Sequence, residues 1–216
     1  GDVYKRQLLY GVFPKKDVIT RAVRLQNEGQ ELLTLESVQS ASLDLIYGDY
    51  DWIQFYGRHA MERNVQRIPA AHGAHVIGSR RGTSSHQYNP FVILAEKETT
   101  EDFGACYGMS FVYSGGFQAF AERDQYDQTR MGMGISPEGF SWSLKPGESF
   151  TAPEVILSYT GKGLGELSRQ YHRILRHNVC RGMYKEVRRP ILINNWEATY
   201  FDFNGNKIYE IAKQAA

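Results

Sequence analysis

Apolar and polar residues alternate with a period of two over most of the chain from residue 8 to about residue 160. Ala41, Leu43, Leu45 and Tyr47 alternate with other residues, and Gly48-Asp49-Tyr50-Asp51 follows as a turn. Trp52, Gln54 and Tyr56 then alternate with Ile53 and Phe55, which predicts a strand returning beside the first as a hairpin. A second hairpin is predicted where Tyr107, Met109, Phe111 and Tyr113 share a face. There Ser114-Gly115-Gly116 makes the turn, and Phe117 and Phe120 begin the return. Val92 to Leu94, Phe140 to Leu144 and Val155 to Tyr159 read as further strands. Lys145-Pro146-Gly147-Glu148 separates the last two as a turn, because proline presets φ and glycine permits φ > 0. Short strands at this spacing, with no helical pattern between them, predict an antiparallel β-sandwich.

The period changes after Gly161-Lys162-Gly163. Leu164, Leu167, Tyr171, Ile174, Leu175 and Asn178 recur at helical spacing, while Arg169, His172, Arg173, Arg176 and His177 take the other face. An amphipathic helix of about four turns is expected. A connector, Arg181 to Arg189, is closed by Pro190. The continuous apolar run Ile191-Leu192-Ile193 then fits a strand buried on both faces, as in a parallel sheet. Asn204-Gly205-Asn206 turns into Ile208, Ile211, Ala212 and Ala215, the apolar face of another helix. Strand, loop and helix make one βα unit, which cannot cover both of its own faces. The chain is therefore expected to be a fragment of a longer protein.

Composition narrows the partners. At 216 residues the chain holds one large domain or two small ones, and its net charge of +1 gives no electrostatic reason to expect nucleic acid or an anionic membrane. No apolar run approaches the ~20 residues that span a bilayer, and the N-terminus shows no signal-peptide pattern. Cys106 and Cys180 lie in no CxxC pattern and read as two buried free thiols of a cytoplasmic protein. Aromatic residues make up 13% of the chain, with 14 Tyr and 11 Phe, which favours β-structure and suits a protein that stacks on sugar rings.

Three constellations could carry chemistry. Ser79 to Phe91, "SRRGTSSHQYNPF", brings Ser and His together, but no G-x-S-x-G elbow is present. Its hydroxyls, imidazole and amides are expected to satisfy local backbone groups, or else the loop reaches a neighbouring domain or subunit. His59, with Arg58, Glu62 and Arg63, precedes His72 and His75; without a third ligand at consistent spacing, a surface loop with an ion-paired Arg-Glu cluster is expected rather than a metal site. The third is "RRPILINNWEATYFDFN", residues 188–204. In a barrel of parallel strands the active site lies at the carboxyl ends of the strands, where Asn194, Asn195 and Trp196 would sit. Trp196 is the candidate wall of a sugar subsite, since its indole face is large, flat and apolar; the alternative is that it packs the loop. Glu197 and Asp202 raise the pattern of paired glycosidase carboxylates, but residues so close on one element seldom straddle a scissile bond.

Together the segments "WIQFYGRHAMER", "SRRGTSSHQYNPF", "YGMSFVYSGGF", "GISPEGFSWSLKPGESFTAPEVILSY", "GLGELSRQYH" and "RRPILINNWEATYFDF" resemble, in order, the α-galactosidases of glycoside hydrolase family 36. The resemblance runs from about residue 8 to the last residue; GDVYKRQ, residues 1–7, fits nothing in it and is expected to be an artefact. It implies a mainly β protein: an antiparallel β-supersandwich over 8–162, a helical linker over 163–187, and the truncated start of a (β/α)8 barrel over 188–216. It also implies a retaining enzyme that hydrolyses terminal α-galactosides such as melibiose and raffinose-type oligosaccharides by double displacement between two aspartates. No cofactor or metal is implied, and family members often assemble as tetramers through the sandwich. The resemblance places both aspartates on later barrel strands, the nucleophile in a K-W-D-type motif, and an aspartate pair that binds galactose hydroxyls in a D-D-G-W-type motif; neither motif occurs here, so no catalytic residue carries over. Only Trp196 matches a position that can border the galactose subsite. A non-catalytic carbohydrate-binding or interaction module, an α-N-acetylgalactosaminidase and a galactosyl transferase are the alternatives.

Overall fold

Period-two alternation becomes a strand wherever a neighbouring strand can receive its hydrogen bonds. The computed structural model describes residues 3–215. They divide between Leu175 and Arg176 into two compact units. The first unit opens with β1 (Tyr4–Phe13) and β2 (Val18–Asn27), an antiparallel hairpin pairing Tyr4 with Asn27 at one end and Phe13 with Val18 at the other. Then follow β3 (Leu33–Leu35), β4 (Gln39–Leu45), β5 (Tyr50–Arg58), β6 (Met61–Pro69), β7 (Gly73–Gly78) and β8 (Tyr88–Glu96). The remaining strands are β9 (Cys106–Phe111), β10 (Phe117–Arg123), β11 (Thr129–Ile135), β12 (Trp142–Leu144), β13 (Ser149–Thr151) and β14 (Val155–Thr160).

Among the described residues two main antiparallel sheets and a two-stranded ribbon of β3 and β12 result, as the alternation predicts. The larger runs β1-β2-β14-β9-β8-β5-β6, with β13 also beside β2, and the smaller runs β10-β11-β4. Strand β7 lies along β10, fastened by reciprocal bonds between Ser79 and Phe117 of 2.9 and 3.1 Å. Trp52, Val92, Leu94, Met109 and Val155 of the larger sheet meet Phe117, Ala119, Met131 and Met133 of the smaller in one buried core. Full burial of one large apolar side chain is worth about 1.5–3 kcal/mol, so this layer dominates the stability of the unit.

The opposite face of the larger sheet is covered by helix α1 (Gly163–Ile174), as the helical spacing predicts, with Leu167, Tyr171 and Ile174 buried. Tyr171 donates from its hydroxyl to the Ile156 carbonyl at 3.0 Å. Its ring lies over Gly108, where a Cβ would come within 2.7 Å of the ring. Gln170, a polar residue on the buried face, accepts from the Ser158 hydroxyl at 2.8 Å. A π-helical turn, Leu175–Val179, ends the helix.

Neither predicted hairpin forms. Strand β4 pairs with β11 in the smaller sheet, whereas β5 pairs with β6 and β8 in the larger. Likewise β9 lies between β8 and β14, while β10 pairs with β11 across the core. Gly48 (φ 131) and the Ser114–Gly116 segment therefore carry the chain from one sheet to the other. The alternation predicts the strands and not their partners. Both strands of each pair do face the same core, but from opposite sides. The Lys145–Glu148 turn does form, with Gly147 at φ 83, the Glu148 N–H bonded to the Lys145 carbonyl at 3.0 Å, and the Glu148 carboxylate accepting the Lys145 N–H at 2.8 Å.

The second unit holds a single 3-10 turn, Met183–Lys185, a short helix α2 (Trp196–Thr199) and α3 (Gly205–Ala215). The helix expected after Asn204 is present. The strand expected at Ile191–Ile193 is not: the run has no regular structure, and Ile191 and Leu192 are 75% and 91% exposed. A parallel strand exists only through its neighbours' hydrogen bonds, and among the described residues nothing pairs with this run.

Candidate functional site

Each of the three constellations now has a geometry. Within Ser79–Phe91 the hydroxyls bond nearby backbone groups. The Ser79 hydroxyl donates to the Thr83 carbonyl at 2.5 Å, the Ser84 N–H to the Ser114 carbonyl at 2.7 Å, and the Gln87 N–H to the Ser85 hydroxyl at 3.2 Å. The expectation is met for the hydroxyls of Ser79 and Thr83, whereas Ser84 reaches Ser114 outside the segment and the Asn89 amide oxygen is buried without a partner among the described residues; no nucleophile-base pair is formed within the segment.

The histidine-bearing region is the β5–β6 turn and strand β7. The Glu62 carboxylate accepts the Ala60 N–H at 3.0 Å, and such backbone bonds, led by its own N–H, hold its pKa below the usual carboxylate range. The expected Arg-Glu ion pair is absent: Arg58 instead meets the Met61 sulfur at 3.0 Å. His72 reaches the Asp124 carbonyl through Nδ1 at 3.0 Å and Asp127 through Nε2 at 3.3 Å. Among the described residues no group of three potential metal ligands converges.

His75 belongs to a network that alternation alone did not reveal. Trp52 Nε1 donates to Gln54 Oε1 at 2.7 Å, and Gln54 Nε2 donates to Gln66 Oε1 at 2.7 Å. His75 Nε2 lies 2.8 Å from the same Gln54 Oε1. An indole N–H can only donate, so the atom facing it is the amide oxygen, and His75 must carry its proton on Nε2. Burial lowers the His75 pKa, which keeps the ring neutral. A second missed cluster is Tyr50, Tyr107 and Tyr159, whose rings meet at 6.1 and 4.8 Å. Burial first, and then the neighbouring phenols and Glu96, push the Tyr50 hydroxyl up to about 12. Polar residues at inward positions of strands, such as Gln54, were the available signal for the first network. Cys106 is buried, with its thiol pushed up to about 11 by desolvation. Cys180 is exposed, which corrects the expectation of two buried thiols; both are free.

The segment around Trp196 is built by local capping. Asn194 Oδ1 accepts the Trp196 N–H at 2.9 Å, and Asn195 Nδ2 donates to the Thr199 hydroxyl at 2.8 Å, which closes α2 as one turn. The Tyr200 N–H returns to the Trp196 carbonyl at 2.7 Å, and Tyr200 itself sits at φ 47. That positive φ, uncommon for a bulky residue, lies at the turn where the aromatic rings gather. Trp196 meets Phe201 edge-on at 4.8 Å and 90°, and Tyr200 at 5.5 Å and 80°. Trp196 remains 43% exposed. Asp202 is solvent-facing and pairs with Lys207 at 3.3 Å, which is not the environment of a catalytic carboxylate. Asn204 Oδ1 then caps α3 by accepting the Lys207 N–H at 3.0 Å.

Comparison with known proteins gives this arrangement its context. The family model of the glycosyl hydrolase family 36 N-terminal domain matches residues 4–145, and the melibiase model matches residues 149–216. The bifunctional alpha-galactosidase/sucrose kinase AgaSK of Mediterraneibacter gnavus is 57% identical over 209 residues, covering 97% of this chain and 22% of that protein. Alpha-galactosidase AgaA of Geobacillus stearothermophilus is 49% identical, covering 97% of this chain and 29% of that one. The solved galactosidase domain of AgaSK superposes with a TM-score of 0.95 at 56% identity, covering 99% of this chain and 30% of that one. A structure of Geobacillus AgaA in complex with stachyose gives 0.93 at 48%, covering 97% of this chain and 29% of that one. The chain thus spans 22% and 29% of the length of these two curated relatives. The sandwich, the order of its strands and the two successive family matches lead to one assignment: the chain belongs to glycosyl hydrolase family 36.

Proposed function

We propose that this chain is the N-terminal portion of a retaining α-galactosidase that hydrolyses terminal α-galactosides, including melibiose and raffinose-type oligosaccharides, by double displacement. The observation that carries the reading is the exposed aromatic corner of Trp196 and Phe201, set on a hydrogen-bonded turn within the melibiase match. Its geometry suits one wall of a galactose subsite, and Trp196 is the residue assigned to it. In double displacement one carboxylate attacks the anomeric carbon while a second protonates the leaving oxygen, the two being about 5–5.5 Å apart. The K-W-D motif that would supply the nucleophile and the D-D-G-W motif that would bind galactose hydroxyls do not occur in this sequence. The chain contributes scaffold and a sugar-facing wall, and the acids come from further chain. We assign 8–162 to the sandwich, 163–187 to the linker and 188–216 to the start of the barrel. The exposed Ile191–Ile193 run supports that division, since a barrel strand awaiting its neighbours has this character.

Two further parts of the proposal concern the whole protein. Strand β1 is a sheet edge presenting Leu8, Leu9, Tyr10 and Val12 to solvent, which supports assembly into a homo-oligomer through the sandwich, a tetramer by the family resemblance. A cytoplasmic location is supported by two free cysteines. Among the described residues no helix is long and apolar enough to cross a membrane. The test is turnover of a nitrophenyl α-galactoside. The 216-residue chain alone is expected to be inactive, and the same chain joined to its downstream coding sequence is expected to be active with retention of configuration. Turnover by the chain alone would refute the division of labour; an inactive joined protein would refute the assignment.

A further inference from the structure

The loop Ser79–Gln87 builds more than its own backbone. Beside it, on the sandwich unit, is a cleft of about 400 Å3. One side is lined by Arg80, Arg81 and Gln87 from the loop, and the other by Gln118 at the start of β10 and Ser136 and Glu138 after β11. Both sides are fixed. The Ser79–Phe117 backbone bonds and the Ser79–Thr83 bond hold the loop, and the Ser136 N–H bonds the Gly116 carbonyl at 3.2 Å. A Cβ at Gly78 would come within 2.2 Å of the Phe117 carbonyl oxygen, so the strands carrying the two sides approach more closely than any side chain at Gly78 would permit.

What distinguishes the cleft is how its polar atoms are used. The loop's hydroxyls are committed to nearby backbone groups, those of the loop itself and, for Ser84, the Ser114 carbonyl, whereas the side chains of Arg81, Gln87 and Ser136 have no hydrogen-bond partner among the described residues. Gln118 takes part in only a long 3.5 Å bond from Gln39, which leaves its own amide donors free. Arg80 and Glu138 pair across the mouth, both largely exposed. Such an exposed pair is weak and can open to receive hydroxyls. The free groups include both donors and acceptors. A planar guanidinium and two planar amides suit vicinal hydroxyls, which donate and accept at once. An anion such as phosphate would face Glu138, and a purely apolar ligand would strand the free donors.

We propose that this cleft binds an uncharged saccharide on the sandwich itself. Its ligand class is suggested by the proposed α-galactosidase function, but its binding does not require turnover. The test is titration of the 15N-labelled chain with raffinose, with inorganic phosphate as the contrasting probe. Backbone amide shifts at Arg80, Arg81, Gln118 and Ser136 are expected to saturate in the millimolar range. Arg81→Ala and Gln118→Ala should each weaken binding at least fivefold while leaving the thermal midpoint unchanged. Arg81 is exposed on the loop, so its variant tests the proposal even if Gln118→Ala perturbs folding. No saturable shifts at the cleft, shifts with phosphate instead, or unweakened binding in the Arg81 variant would each overturn it. Because the readout is binding to the chain alone, failure here leaves the activity assay of the joined protein to judge the enzymatic reading separately.

Discussion

Gly108→Ala should destabilise the sandwich unit far more than a one-carbon change at a strand position ordinarily does. Gly108 lies on the face of β9 that α1 covers, and a Cβ there would meet Tyr171 ring atoms at 2.7 Å and its hydroxyl at 2.9 Å. The ring cannot retreat freely, because Tyr171 is buried, packed edge-on against Phe91 at 4.8 Å, and bonded to the Ile156 carbonyl at 3.0 Å. Overpacking of this kind costs about 1–3 kcal/mol, and displacing the hydroxyl from its buried acceptor adds about 1 kcal/mol, so a total of about 2–4 kcal/mol is expected. Urea unfolding, followed by the fluorescence of the fully buried Trp52, should show the midpoint falling by about 1–2 M at unchanged slope. A double-mutant cycle locates the cause. In a Tyr171→Leu background the added methyl has no ring to strike, and Gly108→Ala should cost less than about 1 kcal/mol, since coupling appears only between touching residues. Equal costs in both backgrounds, or a neutral Gly108→Ala, would refute the idea that the close approach of helix and sheet at Gly108 sets this cost.

Three further outcomes follow from the same geometry. His75 is half-buried and neutral, with its folded pKa below the unfolded value of about 6.5; stability should therefore be full above that value and decline as pH falls below it, and thermal melts of His75→Gln should show a shallower decline between pH 7 and 5 than the parent. Cys106, with its thiol pushed up to about 11, should resist a disulfide reagent at pH 8 in the folded chain while exposed Cys180 reacts at once, so one thiol titrates before unfolding and two after; two fast thiols would contradict the burial. Trp196→Ala in the active joined protein should raise KM for a galactoside about tenfold at unchanged thermal midpoint, whereas a residue that only packs the loop would lower the midpoint and leave KM alone.

The sandwich was legible because alternation is a property of single strands. Phe117, Ala119 and Ala121 show which face of β10 is buried without any knowledge of its neighbours. Pairing is a property of two strands, and there the sequence misleads. Gly48-Asp49 and Ser114-Gly115-Gly116 signal that the chain reverses, which a hairpin and a crossing between sheets both require. Nothing local distinguishes them, because in either case the strands on both sides of the turn present apolar residues to one core. The Trp52–Gln54–His75 network was hidden for a related reason: Gln54 shares the buried face of β5 with Trp52, but its partners Gln66 and His75 come from other strands, β6 and β7.

Ile191-Leu192-Ile193 carries this reasoning to the candidate site. The same composition that fills β8 as Val92-Ile93-Leu94, buried between β5 and β9, leaves residues 191–193 without regular structure. The difference is not propensity, since both runs are β-branched and leucine-rich. It is supply: β8 has a hydrogen-bonded neighbour on each side and the later run has none among the described residues. Local capping needs no such supply, which is why Asn194, Asn195 and Asn204 shape the turn around Trp196 and the start of α3 even though the preceding run is bare. The corner proposed as a sugar-facing wall can therefore be set by its own residues before the proposed barrel closes around it. If so, adding the downstream chain should order Ile191–Ile193, seen as slowed amide exchange, while the indole resonance of Trp196 keeps its position until galactoside is added. An indole shift on joining alone would show that the corner, too, depends on its neighbours.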